Sequence, residues 1–377
     1  MCRINYYLIA VLSIALLLVS GGCGDDDDDA TLPPIDGFDR TEMLENIGIN
    51  IIVPAYNALQ NETGDLQQAA NAFADNQSVQ NLQNLQDALK SARLAWQDAN
   101  LFQFGPAESI NLRSSLNTYP TDVDRIEENI SSGSYVLGSL ADIAAGGFPA
   151  LVCLLHGSEK TDDEIVTDFT EAANAQNRMQ YLMDNVDFIQ SRVETTVNGW
   201  SSTGDDFIGT FLSEDNAGTD VGSSVGLLLN AFILHYERFL RDGKIGIPAG
   251  IRSAGIPRPT ATEAFYSGYS AELAVANLEA VERFFQGIGL NGIEGLGLAD
   301  YLTSQNAEDL SATIMVELSD ATDQTEQLVD PLSAFIESNP ETVNNAFVDI
   351  QEVVVLFKVD MTSILGVTIT FQDNDGD

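Results

Sequence analysis

The spacing of apolar residues constrains this chain most tightly: they recur every three or four positions, and long stretches of strict alternation are absent. Leu82, Leu85, Leu89, Ala92 and Trp96 fall on one face of a helix, as do Leu273, Leu278, Val281 and Phe285. A half-buried strand needs a period of two, so the pattern predicts helix almost throughout. Start signals agree. Thr161 with Glu164, and Thr260 with Glu263, have capping-box spacing, a hydroxyl followed three residues later by a carboxylate. Breaks fall at 104–106, 198–204 and the Gly/Pro-rich 243–259. The second divides the folded part into halves of similar length and predicts an N-terminal helical bundle over 37–200 and a C-terminal one over 201–377. The fold class read from this pattern is all-α, two helical bundles packed side by side.

The first residues read as a processing segment. Arg3 supplies a positive charge, Tyr6 to Val19 an apolar core, and Ser20-Gly21-Gly22 a small-residue stretch before Cys23. The apolar core is shorter than the roughly 20 residues that span a bilayer. Residues 1–22 resemble a lipoprotein signal peptide, with Cys23 as the lipidated first residue of the mature chain. Residues 23–36 form an acidic tether that holds five consecutive aspartates, Asp25 to Asp29, and resembles the export tag of surface-exposed lipoproteins. The expected location is a lipid anchor on the bacterial outer membrane. With Cys2 removed and Cys23 lipidated, Cys153 has no partner in the chain, so packed cores must supply stability.

Charge excludes one class of partner. Sixteen Lys+Arg against 57 Asp+Glu give a formal charge of −41, which repels nucleic acid over most of the surface. With 44% hydrophobic residues the chain still fills real cores and is not a disordered acidic protein.

Trp96 followed by Phe104-Gly105-Pro106, the segment GGFPALVCLLHG at 146–157, KIGIPAG at 244–250, EAFYSGYS at 263–270 and the closing LGVTITFQDNDGD occur in this order along nearly the whole mature chain. In this combination the chain resembles the imelysin family. The resemblance implies an all-helical fold of two related bundle halves with a site between them. It also implies one of two roles, since the family has been called both a metallopeptidase and an iron-uptake family. The family motif is glycine-x-histidine-x-x-glutamate, in which an imidazole and a carboxylate three residues apart share a helix face and can converge on one cation. Aligned on Gly147, this chain has Pro149 in place of the histidine and Val152 in place of the glutamate. Neither ligates a metal.

A second histidine-x-x-glutamate, His156 with Glu159, lies just downstream. Gly157 follows an apolar run, so His156 reads as the last turn of a helix, where the dipole favours a cation, and Glu159 as loop. The pair is the remaining candidate for metal ligation, with His235 the only other histidine. An HExxH motif is absent. The GxGxxG at 287–292 follows a helical run rather than a strand, so it reads as a helix-ending loop. Asp373 to Asp377 begins like a calcium loop, but the chain stops before a bidentate glutamate.

The ligand-site candidates are Glu237, Arg252, Glu263, Tyr266, Ser267 and Ser270, which cluster around the 244–270 signature. The resemblance implies that this segment faces Trp96, Gly105, Pro106 and Pro149 across the bundle interface. Any iron or other divalent cation held there would use carboxylates and hydroxyls, with Glu263 or Glu237 contributing and His156 not. Two functions follow. One is an envelope binding or accessory protein of iron uptake, taking a metal ion, a chelate or a protein partner. The other is a metal-dependent peptidase, for which Pro149 and Val152 leave no ligands at the motif.

Overall fold

The computed structural model describes residues 37–157 and 159–371. The signal-like segment with Cys23, the tether up to residue 36 and the aspartates of the C-terminus lie outside the described residues. Among the described residues every regular element is helical, apart from one isolated bridge between Ile288 and Glu294.

Helices α1 (Val53–Asp75), α2 (Val79–Ala99), α3 (Gly147–His156) and α4 (Ala175–Trp200) make up the first part of the fold. Helix α1 packs on α2 and α4, and α3 lies against both α2 and α4. The second part holds α5 (Ser224–Leu234), which continues into a π-helical stretch, His235–Gly246, followed by α6 (Ser270–Gln286), α7 (Glu308–Thr325) and α8 (Pro340–Val355). Helix α8 packs on α7 and on the π-helical stretch. Helix α2 joins the two parts, since its neighbours include α6 as well as α1 and α3.

The predicted stripes are the packing faces. Leu82, Leu85, Leu89, Ala92 and Trp96 on α2, and Leu273, Leu278, Val281 and Phe285 on α6, are fully buried. Each large side chain contributes about 1.5–3 kcal/mol through that burial. The Thr161 capping box forms: the Thr161 N–H donates to Glu164 Oε2 at 2.8 Å, and the Glu164 N–H to Thr161 Oγ1 at 3.4 Å. Thr260 does not cap. It lies in a short 3-10 turn, Pro259–Ala261, and the carboxylate of Glu263 is buried. Gly287 ends α6 in the left-handed conformation, as a helix-ending loop requires.

The break at 198–204 is packed rather than open. Trp200 is buried at the end of α4, where Phe104, Phe207 and Phe211 meet its ring edge-on at 4.9–5.5 Å between centroids. One hydrophobic cluster includes core residues from Met43 to Val367, on both sides of Trp200.

Candidate functional site

The π-helical stretch carries the polar residues of the interior. Almost all of its side chains are buried, His235, Glu237, Arg241, Asp242 and Lys244 among them. Buried charges must find partners within the protein, and these sort into two clusters.

The first cluster joins α2 to the segment around Glu263. Lys244 Nζ donates to Glu263 Oε2 and, at 2.7 Å, to Gln97 Oε1. Asn117 Nδ2 donates to Glu263 Oε1 at 2.9 Å. Arg93 donates through Nη2 to the Glu263 carbonyl at 2.9 Å and through Nη1 to Tyr269 Oη at 3.2 Å, with its guanidinium 3.8 Å from the Glu263 carboxylate. Burial alone would raise the Glu263 pKa. The charges of Lys244 and Arg93 outweigh it, and the carboxyl is held below its usual range. Burial also lowers the Lys244 pKa against the opposing pull of Glu263. We place the proton on Lys244, because the Glu263 carboxylate has two cations beside it. Two cations facing one carboxylate leave the cluster net positive.

Beside it lies a cavity of about 120 Å³, lined by Tyr119, Pro149, Val152, Thr262, Glu263 and Tyr266 among others. The expected opposition of the 244–270 segment and Pro149 is therefore present here. Pro149 and Val152 give an apolar wall on α3. Tyr266 joins that helix through a hydrogen bond between its phenol and the Cys153 thiol; burial pushes the thiol up to about 11 against this contact, and burial together with the contact pushes the phenol up to about 12.

The remaining candidates are dispersed. Trp96 is buried one residue from Gln97 and packs on Phe148. Gly105 and Pro106 belong to the packing around Trp200: a side chain at Gly105 would meet the Phe207 ring at 2.5 Å, and Pro106 lies against Gly199. Ser270 Oγ accepts from the Ala264 N–H at 3.0 Å and Ser267 Oγ reaches the Ala264 carbonyl at 3.5 Å, so both hold the loop that carries Glu263. Glu237 and Arg252 sit in the second cluster. There Glu237 pairs with Lys358 at 2.7 Å, Arg241 with Asp242 at 3.0 Å, Arg252 with Asp242 at 3.1 Å, and Arg241 also donates to Gln351.

Two expectations are corrected. Glu263 is not an open carboxylate for a cation, because Lys244 already holds it. His156 ends α3 with Gly157 at positive φ, as expected, but it is no cation there. Burial, then the neighbouring Arg93, lower its pKa to about 4, so the imidazole is neutral at neutral pH. Glu159 is exposed in the loop beyond.

A resident iron or other divalent cation does not fit this donor set. Hard cations take several oxygen ligands, anionic ones among them, whereas the cavity lining offers one carboxylate, closed by an ammonium, the neutral hydroxyls of Thr121, Thr260 and Thr262, and two phenols whose pKa values burial raises. Among the described residues no three of His, Cys, Asp and Glu converge as a metal site.

Arg93, Gln97, Asn117, Tyr119 and Lys244 are absent from the sequence-predicted site. A signal existed for two of them. Leu89, Arg93 and Gln97 are spaced by four, which places two polar residues on the buried face of α2.

The family model described as Imelysin matches residues 52–354. A crystal structure described as that of a "putative iron-regulated protein A precursor" from Parabacteroides distasonis ATCC 8503 superposes with a TM-score of 0.71 at 18% identity, covering 86% of this chain and 95% of that one. An imelysin-like protein from Psychrobacter arcticum 273-4 gives a TM-score of 0.68 at 18% identity, covering 89% and 99%. No curated protein matches. At this identity the two structures establish the shared fold.

Proposed function

The chain belongs to the imelysin family, and on that premise we propose that it is an outer-membrane lipoprotein that binds a ligand of iron acquisition and is not a peptidase. The observation that carries this reading is the Lys244–Glu263 pair. A metallopeptidase needs an ion that activates water and a base to take its proton. At this cavity the ammonium of Lys244 occupies the partner position of the single lining carboxylate, and the motif positions on α3 are Pro149 and Val152. A net positive cluster repels a bare cation and favours an anionic chelate or an acidic partner group. The similarity to a protein described as iron-regulated supports the link to iron.

The enzymatic alternative is tested with unfolded protein substrates. We expect no chelator-sensitive cleavage beyond the background of a Glu263→Gln variant. Metal-restored turnover that follows the intact protein through successive purification steps would establish the peptidase reading instead.

The membrane attachment rests on the segment ending at Cys23 and the aspartates after it. Among the described residues no helix is long and apolar enough to cross a membrane. Cys23→Ala should release the protein from membrane fractions. Retention after alkaline washing would mean that something other than a lipid on Cys23 holds it.

A further inference from the structure

Across Tyr119 and Pro120 from the small cavity lies a larger one of about 390 Å³, and these two residues line both. The second cavity is lined by Arg113, Arg238 and Arg258, with Phe239, Ile247 and Tyr119 among its other walls, and among the described residues by no carboxylate. The chain has 57 acidic residues and only 16 Lys+Arg. Three of those few cations thus line one concavity whose described walls carry no carboxylate.

Arg113 is built into this wall. Its Nε donates to Asn100 Oδ1 at 2.9 Å and its Nη2 to the Asn100 carbonyl at 2.8 Å. Nη2 also meets His235 Nδ1 at 3.2 Å. An arginine there can only donate, so Nδ1 accepts and the His235 Nε2–H donates to Asn277 Oδ1 at 2.8 Å, a tautomer assigned from the network. Burial keeps that imidazole neutral. The guanidinium plane lies 3.9 Å from the centre of the Phe239 ring. Among the described residues Nη1 has no protein partner. Arg238, whose guanidinium lies over Phe371, and the exposed Arg258 complete the cationic lining.

We propose that this cavity binds an organic polyanion, a polycarboxylate of the kind that chelates ferric iron. Guanidinium groups recognise carboxylates and phosphates alike through paired N–H donors. The Phe239 and Ile247 surfaces and the size of the cavity favour an organic ligand over an inorganic ion. The assignment of a ferric chelate rests on the proposed role in iron acquisition; the assignment of an organic anion does not.

Calorimetric titration of the purified protein with citrate, ferric citrate and inorganic phosphate tests this. Citrate and ferric citrate are expected to bind once per chain and phosphate more weakly. Arg258→Ala should weaken citrate about tenfold, and Arg238→Ala/Arg258→Ala about a hundredfold, at the scale of charged hydrogen bonds. Arg192→Ala, which removes an equal charge beside Phe188 elsewhere, should leave affinity unchanged, and thermal melts should show all three variants folded. Unchanged binding in the double variant, an equal loss in Arg192→Ala, or phosphate binding as tightly as citrate would overturn the proposal. Arginine-dependent binding of citrate but not of ferric citrate would uphold the anion site and reject the link to iron. Absence of binding by all three anions would reject the site itself.

Discussion

Lys244→Ala is expected to destabilise the protein by about 3–5 kcal/mol, the scale for removing one partner of a buried ion pair. The variant leaves the Glu263 carboxylate fully buried with Arg93 3.8 Å away and without its shortest contact. It also strips Gln97 Oε1 of its donor. Urea unfolding of the wild type and variant measures the loss. A companion substitution separates charge from packing: Lys244→Met/Glu263→Gln removes both charges of the pair, keeps an acceptor for Asn117, and should recover only part of the loss, because Arg93 is then buried without a carboxylate. A loss below about 1 kcal/mol in Lys244→Ala, typical of an exposed pair, would show that the pair is open to water.

Gly147→Ala is expected to prevent folding or to lower stability by more than about 4 kcal/mol, at the severe end of single substitutions. Gly147 begins α3 with φ +71°, where a side chain is strained. A Cβ there would also lie 2.4 Å from the Leu116 carbonyl oxygen and 2.7 Å from that of Ser115. Backbone cannot move aside as a side-chain tip can. The Gly147 N–H donates to Asn185 Oδ1 at 3.1 Å, which fixes the position further. Gly64, inside α1 with open space around it, is the control: Gly64→Ala should stabilise by about 0.5–1 kcal/mol, the helix-propensity difference. Soluble yield and thermal melting distinguish the two. A Gly147→Ala protein that melts like the wild type would mean that α3 can start in another way.

These two positions also mark how far the sequence was legible. Helices with a strict stripe, such as α2 and α6, are read directly, because burial of one face is written into residues three and four apart. Capping is read less safely. Thr161-x-x-Glu164 and Thr260-x-x-Glu263 have the same spacing, yet only the first forms a box. The second glutamate answers to Lys244, Asn117 and Arg93, which lie far from it in the chain, and local spacing carries no trace of such partners. Glu237 and Glu263 show the same limit from the other side. Both belong to buried ion clusters, but Glu237 is held by Lys358 and Glu263 by Lys244. The gathering of Arg113, Arg238 and Arg258 was likewise invisible, since a cavity is made by the tertiary packing of segments distant in sequence. Arg93 and Gln97 were readable in principle, as polar residues in the apolar register of α2.

The ammonium of Lys244 closes the Glu263 carboxylate to a metal ion. Titration of metal-free protein with ferrous, ferric and zinc ions, followed by calorimetry and by elemental analysis after desalting, tests it most directly. No stoichiometric ion is expected on the wild type, and no difference between it and a folded Glu263→Gln variant. One ion retained per chain by the wild type and lost from Glu263→Gln, with the thermal melt of that variant unchanged, would contradict that closure.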